Sequence, residues 1–122
     1  MKRAGSYLVV AITVLLSITA YAEKAPEIPV KNMVTMVDLG ADKCVPCKLM
    51  APILDKLRKE YTEKAAILFI DVWKEPDQAK KYGIRTIPTQ IFFDKSGKEQ
   101  YRHAGFMSEA DIKKQLDTLL SM

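Results

Sequence analysis

The hydrophobic positions of this chain recur with two periods, and the switches between them mark out its elements. Residues 33–40, "MVTMVDLG", form a nearly unbroken apolar run ended by a glycine, which predicts a strand buried on both faces. Asp38 interrupts that run. A buried carboxylate is costly when charged and unpaired, so Asp38 should have a raised pKa or point at something useful. In "CKLMAPILDKLRKEY" the apolar residues Leu49, Met50, Ile53, Leu54, Leu57 and Tyr61 fall at helical spacing, with Pro52 inside the pattern as an expected kink. Cys44 would open this helix and Cys47 would lie one turn inside it. Residues 65–73, "AAILFIDVW", predict a second buried strand. A short helix should follow, begun by Pro76 and stopped by Gly83.

"IRTIPTQIFFDKSGKEQYRHAG" predicts two strands joined by a turn at residues 94–97. The last helix has Ser108 as its N-cap, Asp111 three residues on as an Asp variant of the capping box, and Met107 with Ile112 as a hydrophobic staple. Its buried stripe would be Ile112, Leu116, Leu119 and Leu120. The order is β–α–β–α–β–β–α: a crossover unit with a parallel strand pair, then a hairpin covered by a helix.

The first 22 residues break both periods. "MKRAGS" is a short positive segment, residues 7–19 are uncharged and apolar, and "AYA" at 20–22 fits a small-x-small cleavage pattern. The apolar run falls short of the ~20 residues that span a bilayer, so residues 1–22 are expected to be a cleaved signal peptide. An uncleaved membrane anchor is the alternative. Residues 23–32, with two prolines and no period, form a lead-in to a domain over 33–122. The protein is then expected to be exported, most simply to a periplasm, where disulfides persist.

Composition excludes several classes. At 122 residues, 48% hydrophobic and 28% charged, the chain has room for one domain and one core and is not of disordered composition. The net charge of +4 includes Lys2 and Arg3 at the extreme N-terminus, and the other cations alternate with acids, which gives no basis for a nucleic-acid partner. No feature calls for a stable oligomer, and a monomer is expected.

The only two cysteines stand in "DKCVPCK". Such a pair can be a redox couple, half of a metal site or a structural staple. The staple reading is weak, because a bridge over two intervening residues closes too small a loop to constrain the unfolded chain. A Cu(I) site would draw on Cys44, Cys47 and Met50 as soft ligands, but two cysteines cannot close a four-coordinate zinc site and core packing accounts for Met50.

With the element order and the Cys-x-x-Cys in hand, the chain from about residue 33 resembles the thioredoxin family. "VDLGADKCVPCK" is similar to the family's active-site segment, "KLMAPILDKL" to the helix that follows, "KKYGIRTIPTQIFF" to the stretch with its cis-proline, and "AGF" to the glycine before its last helix. Gly40 and Lys43 hold places where the family usually has tryptophans, Ile67 holds the place assigned to the lysine near the buried aspartate, and the N-terminal strand and helix are shortened.

The resemblance implies a thioredoxin-like α/β fold with a mixed sheet flanked by helices, and a thiol–disulfide oxidoreductase with no cofactor and no metal. Cys44 is the expected nucleophile, since a helix N-terminus lowers a thiol's pKa, aided modestly by Lys43 and Lys48. Cys47 would resolve the mixed disulfide. Asp38 is the expected base or proton relay for Cys47. Pro88 is expected to be cis, with the Ile87 backbone pairing a substrate peptide as an added strand. "CVPC" has no histidine to stabilise the thiolate, which favours a reductant; an oxidase or isomerase on the same fold is the alternative. A reductant outside the cytosol would serve exported client proteins and draw electrons from a membrane thiol transporter. His103 is expected to be an exposed surface residue, and Trp73, Phe92 and Phe93 core or core-edge residues.

Overall fold

The computed structural model describes residues 26–122. The apolar run at 7–19 and the cleavage pattern at 20–22 lie outside the described residues. Seven elements follow in the expected order: β1 (Val34–Gly40), α1 (Val45–Glu60), β2 (Ala65–Asp71), α2 (Pro76–Tyr82), β3 (Thr89–Phe93), β4 (Glu99–Ala104) and α3 (Glu109–Leu120). The strands form one mixed sheet in the order β2-β1-β3-β4. β1 runs parallel to β2 and antiparallel to β3, and β3 runs antiparallel to β4. Central β1 and β3 are buried at every residue, as their unbroken apolar runs require.

On one face of the sheet Met36, Ile67 and Phe92 pack with Met50, Leu54 and Leu57 of α1 and with Ile112, Leu116 and Leu119 of α3. On the other face Val37, Leu39, Ile91 and Phe93 meet Ala79, Tyr82 and Ile84. Tyr61, buried just after α1, donates to Asp117 Oδ1 at 2.7 Å and ties α1 to α3.

Local chemistry sets the ends of the elements. Pro52 stands inside α1 without ending it. Gly83 closes α2 at φ 64°, a left-handed position that glycine takes without steric cost. In the β3–β4 turn Asp94 accepts from the Ser96 hydroxyl, the Gln100 side-chain amide and the Lys98 N–H, which hold its carboxyl down at about 2. Ser108 caps α3 by accepting from Asp111 N at 3.2 Å. The Asp111 carboxylate returns to the Ser108 hydroxyl at 2.8 Å, not to a backbone N–H as a capping box would have it. Met107 and Ile112 share the core as expected of a staple.

Two expectations are corrected, and two further positions are settled. β2 ends at Asp71 and is an edge strand, so Phe69 is 37% exposed. Trp73 lies beyond the strand end and is 59% exposed, outside the core that does hold Phe92 and Phe93. Leu49, apolar and at helical spacing in α1, faces solvent. Where described, the lead-in is irregular and packed: Ile28 lies against the second face of the sheet and Val30 N donates to Thr35 Oγ1 at 3.0 Å.

Candidate active site

Cys44 is the N-cap of α1, with extended backbone (φ −77°, ψ 128°), and its sulfur accepts from Cys47 N at 3.4 Å. The chain leaves β1 at Gly40, turns over residues 41–43, and enters a helix with a proline in its first turn and no acidic residue there. The first turn therefore presents its N–H end to Cys44, with the Cys47 N–H on the sulfur itself and no acidic residue in the turn, the setting that stabilises a thiolate. Cys44 and Cys47 form a disulfide with Cα atoms 5.1 Å apart. Cys44 is half-buried, whereas Cys47 is 4% exposed. That asymmetry suits an outer sulfur that meets a partner and an inner one that attacks only within the molecule.

Behind the inner sulfur lies a cleft of about 270 Å³, where Asp38, Cys47, Leu54, Arg58 and Phe69 line common walls. Asp38 is fully buried in β1. Burial pushes its carboxyl up to about 6, against the opposing hydrogen bond from Gln90 and the Arg58 charge. Gln90 Nε2 donates to Asp38 Oδ1 at 2.9 Å. Asp38 Oδ2 and Gln90 Oε1 have no hydrogen-bond partner among the described residues. Arg58 reaches the cleft from α1, steadied by donation from Nε to the Ile67 carbonyl at 3.0 Å and from Nη1 to Asp55 Oδ1 at 2.6 Å. The register corrects the expected neighbour of the carboxylate: Asp38 pairs with Phe69, and Ile67 pairs with Met36 two positions away. Gly40 sits at a close approach: a Cβ there would lie 3.0 Å from Cys47 Sγ and 3.3 Å from the Phe69 ring, so a larger residue needs those side chains to give way.

The thioredoxin family model matches residues 16–118, which is most of the chain. The chain belongs to the thioredoxin family. It is 38% identical over 95 residues to the M-type chloroplastic thioredoxin of Spinacia oleracea, covering 78% of this chain and 49% of that protein. It is 40% identical over 88 residues to the thioredoxins of Staphylococcus aureus strains Mu50 and MW2, covering 72% of this chain and 84% of theirs. Together with the Cys44–Cys47 pair, the family makes this chain a thiol–disulfide oxidoreductase.

The remaining expected residues of this thioredoxin-family site fall as follows. The Ile87–Pro88 bond is cis, and Pro88 is buried one register step beyond the Leu39 and Thr89 pair. It therefore stands at the end of the sheet where Gly40 leads to the cysteines. The Pro88 carbonyl accepts from Gly105 N at 2.7 Å, while the Ile87 N–H and C=O make no hydrogen bond among the described residues. Met50 is fully buried and accepts from Met107 N at 3.5 Å through its sulfur, so it serves the core. His103 is half-buried, not free on the surface: its ring Nε2 lies 3.0 Å from the Phe106 carbonyl.

Asp71 anchors the approach to the site, with its carboxylate accepting from Asp42 N at 3.1 Å, Trp73 N at 2.9 Å and Lys74 N at 3.2 Å. Lys74 in turn pairs with Asp42 at 2.6 Å. Sequence reasoning missed Gln90, Arg58 and Phe69. A glutamine in the apolar run "TIPTQIFF" was the one visible signal, since an amide in a buried strand needs a polar partner.

Proposed function

We propose that this thioredoxin-family protein reduces disulfides of exported client proteins, with Cys44 as nucleophile, Cys47 as resolving thiol, Asp38 as the base that serves Cys47, and the Ile87 backbone as the strand on which the client peptide docks. The observation that carries the reading is the placement of the two sulfurs. Cys44 opens α1 and can be reached, whereas Cys47 is buried in the cleft it shares with Asp38. In the cycle the Cys44 thiolate attacks a client disulfide and releases one client sulfur as thiolate. Asp38 then takes the Cys47 proton, and the Cys47 thiolate attacks Cys44 of the mixed disulfide. The second client sulfur leaves, two electrons have passed to the client, and Cys44–Cys47 is oxidised.

The direction rests on the two residues between the cysteines, Val45 and Pro46. Neither supplies a cation, so the Cys44 thiolate has only the helix N-terminus and nearby lysines to stabilise it. A less stabilised thiolate makes a stronger reductant. The location rests on residues 1–22, whose pattern is that of a secretory signal. In a periplasm the electrons would arrive through a membrane thiol transporter, with this chain acting as a monomer between transporter and client.

Equilibration of the Cys44–Cys47 pair in graded thiol/disulfide buffers tests the direction. A potential well below that of the glutathione pool is expected, and one at or above it would make the protein an oxidase or isomerase. Cys47→Ser should accumulate clients as stable mixed disulfides on Cys44, and capture of nothing would sink the exchange mechanism. In cells, loss of the transporter should leave the pair oxidised; a pair still reduced would refute that electron source.

A further inference from the structure

The row of side chains that crosses the sheet behind the cysteines has two loose ends. Paired strand positions share a face of a sheet, and the register places Phe69 of β2, Asp38 of β1, Gln90 of β3 and His103 of β4 in one line. Asp38 and Gln90 are both fully buried and joined by Nε2–H to Oδ1 at 2.9 Å. Among the described residues, the two buried polar atoms left without a partner are the remaining oxygen of each group, Asp38 Oδ2 and Gln90 Oε1. A carboxylate oxygen and an amide oxygen are both acceptors and cannot satisfy one another, whereas a protonated carboxyl carries a donor. One proton on Oδ2 would supply the donor that Gln90 Oε1 lacks and allow a second hydrogen bond between acid and amide. Buried polar groups in folded proteins are paired as a rule, and a proton on Oδ2 would supply the pairing these two oxygens lack.

We propose that Gln90 is a positioning residue for thiol–disulfide exchange: its amide donates to Asp38 when the carboxylate is charged, and also accepts from Asp38 once the carboxylate has taken the Cys47 proton. This rests on Asp38 being the base for Cys47. In the closing step the S–H bond of Cys47 breaks and its proton passes to Oδ2. The Cys47 sulfur bonds to Cys44, the bond from Cys44 to the client breaks, and the client leaves as thiolate. The oxidised pair and the neutral, ring-paired Asp38 are then products of one event. Both protonation states of Asp38 have a partner in the same amide, so the proton can arrive and depart without leaving a charged group bare. A purely cationic neighbour would serve only the charged state.

The other groups facing this pair are Arg58, Lys48, Asp55 and Cys47 from α1 and Asp42 from the loop before it, all lining the cleft. From β4, His103 stands next to Gln90 in register, with its Nε2 at the Phe106 carbonyl. α3 meets this face with the apolar Ile112 and Leu116.

Infrared difference spectra of the unaltered oxidised protein between acid and neutral pH, with glutamine side-chain carbonyls labelled with 13C, test the pairing directly. The Gln90 band is identified by its loss in Gln90→Met. Its C=O stretch should fall in frequency as Asp38 is protonated, because Oε1 then accepts a hydrogen bond; a rise or no change would overturn the proposal. Single-turnover decay of a mixed disulfide between Cys44 and a model thiol supplies the functional measure. Gln90→Met should slow closure about tenfold, a fraction of the ~10²–10⁴ that a general base contributes, and displace its pH profile. Asp38→Asn should slow it further. If Asp38→Asn closes as fast as the unaltered protein, the base itself is misassigned and Gln90 with it. If Asp38→Asn is slow while the Gln90→Met profile coincides with that of the unaltered protein, the base stands and the Gln90 role alone is refuted.

Discussion

Asp38 and Asp71 are both buried, on adjacent strands, within three register steps of each other, and the fold treats them in opposite ways. Burial pushes Asp71 up too, but three backbone N–H groups, from Asp42, Lys74 and Trp73, and the Lys74 charge more than offset it, and the carboxyl ends below its ordinary value. Asp38 has one amide donor and a more distant guanidinium, and ends at about 6. Asp71 is complete as a charge: it fastens the loop that leads to Cys44 to the start of the β2–α2 turn. Asp38 is left incomplete, with one oxygen unpaired among the described residues, in the cleft it shares with Cys47. A buried acid with its donors satisfied is held as a charge, and the same acid with a donor missing is a candidate for chemistry.

The sharpest way to break the contrast is Asp38→Asn. The raised carboxyl carries no penalty below its unfolded pKa, and the penalty grows as pH rises through about 6. The substitution should therefore stabilise the protein at neutral pH by up to about 3 kcal/mol, from roughly two units at 1.36 kcal/mol each, and by almost nothing near pH 3. Urea midpoints of both proteins across pH 3–8 measure this, and curves that stay parallel would contradict it. Phe69→Lys gives Asp38 the cation that Asp71 already has. Its titration midpoint, followed by 13C NMR of the carboxyl, should fall by about 1–3 units, and no movement would mean that the β2 neighbour does not reach it.

Asp71→Asn tests the opposite member. A lowered carboxyl contributes stability that is present above the unfolded pKa and lost as pH falls through the folded one, so the variant should melt earlier at neutral pH and converge with the unaltered protein in acid. Amide exchange at Asp42 should also quicken. A variant that melts earlier to the same extent at every pH would show that its charge is irrelevant. The smallest effect belongs to Lys74→Met. Its partner Asp42 is exposed, so melting should stay within error of the unaltered protein; a clear loss would make the ion pair, and not the Asp71 carboxylate, the fastener.

Much of this was legible from residue order. Pro76 and Gly83 bracket α2, Ser108 starts α3, and the run of β1 announces a central strand, because each is a local rule obeyed locally. The cysteines and Asp38 were legible for the same reason, standing where the chain passes from strand to helix. Gln90 was not, since its meaning lies in a partner 52 residues away that only the antiparallel register supplies. Phe69 was misjudged as Ile67 through a two-residue shift along a strand, which keeps the same face and so leaves periodicity unchanged. Trp73 was misplaced because hydrophobicity predicts burial only on average; like Leu49, it is an apolar residue that the fold leaves in water.

Gly40 and Lys43 leave the approach to the cysteines without an indole, and the chain's single tryptophan is Trp73, 59% exposed. An indole already in water changes its surroundings little when the chain unfolds. Intrinsic tryptophan fluorescence of this protein should therefore emit at long wavelength in the native state and shift only slightly in denaturant. Its optical signal is a beacon on the β2–α2 turn, nearly blind to the core, and melting is better followed through backbone dichroism.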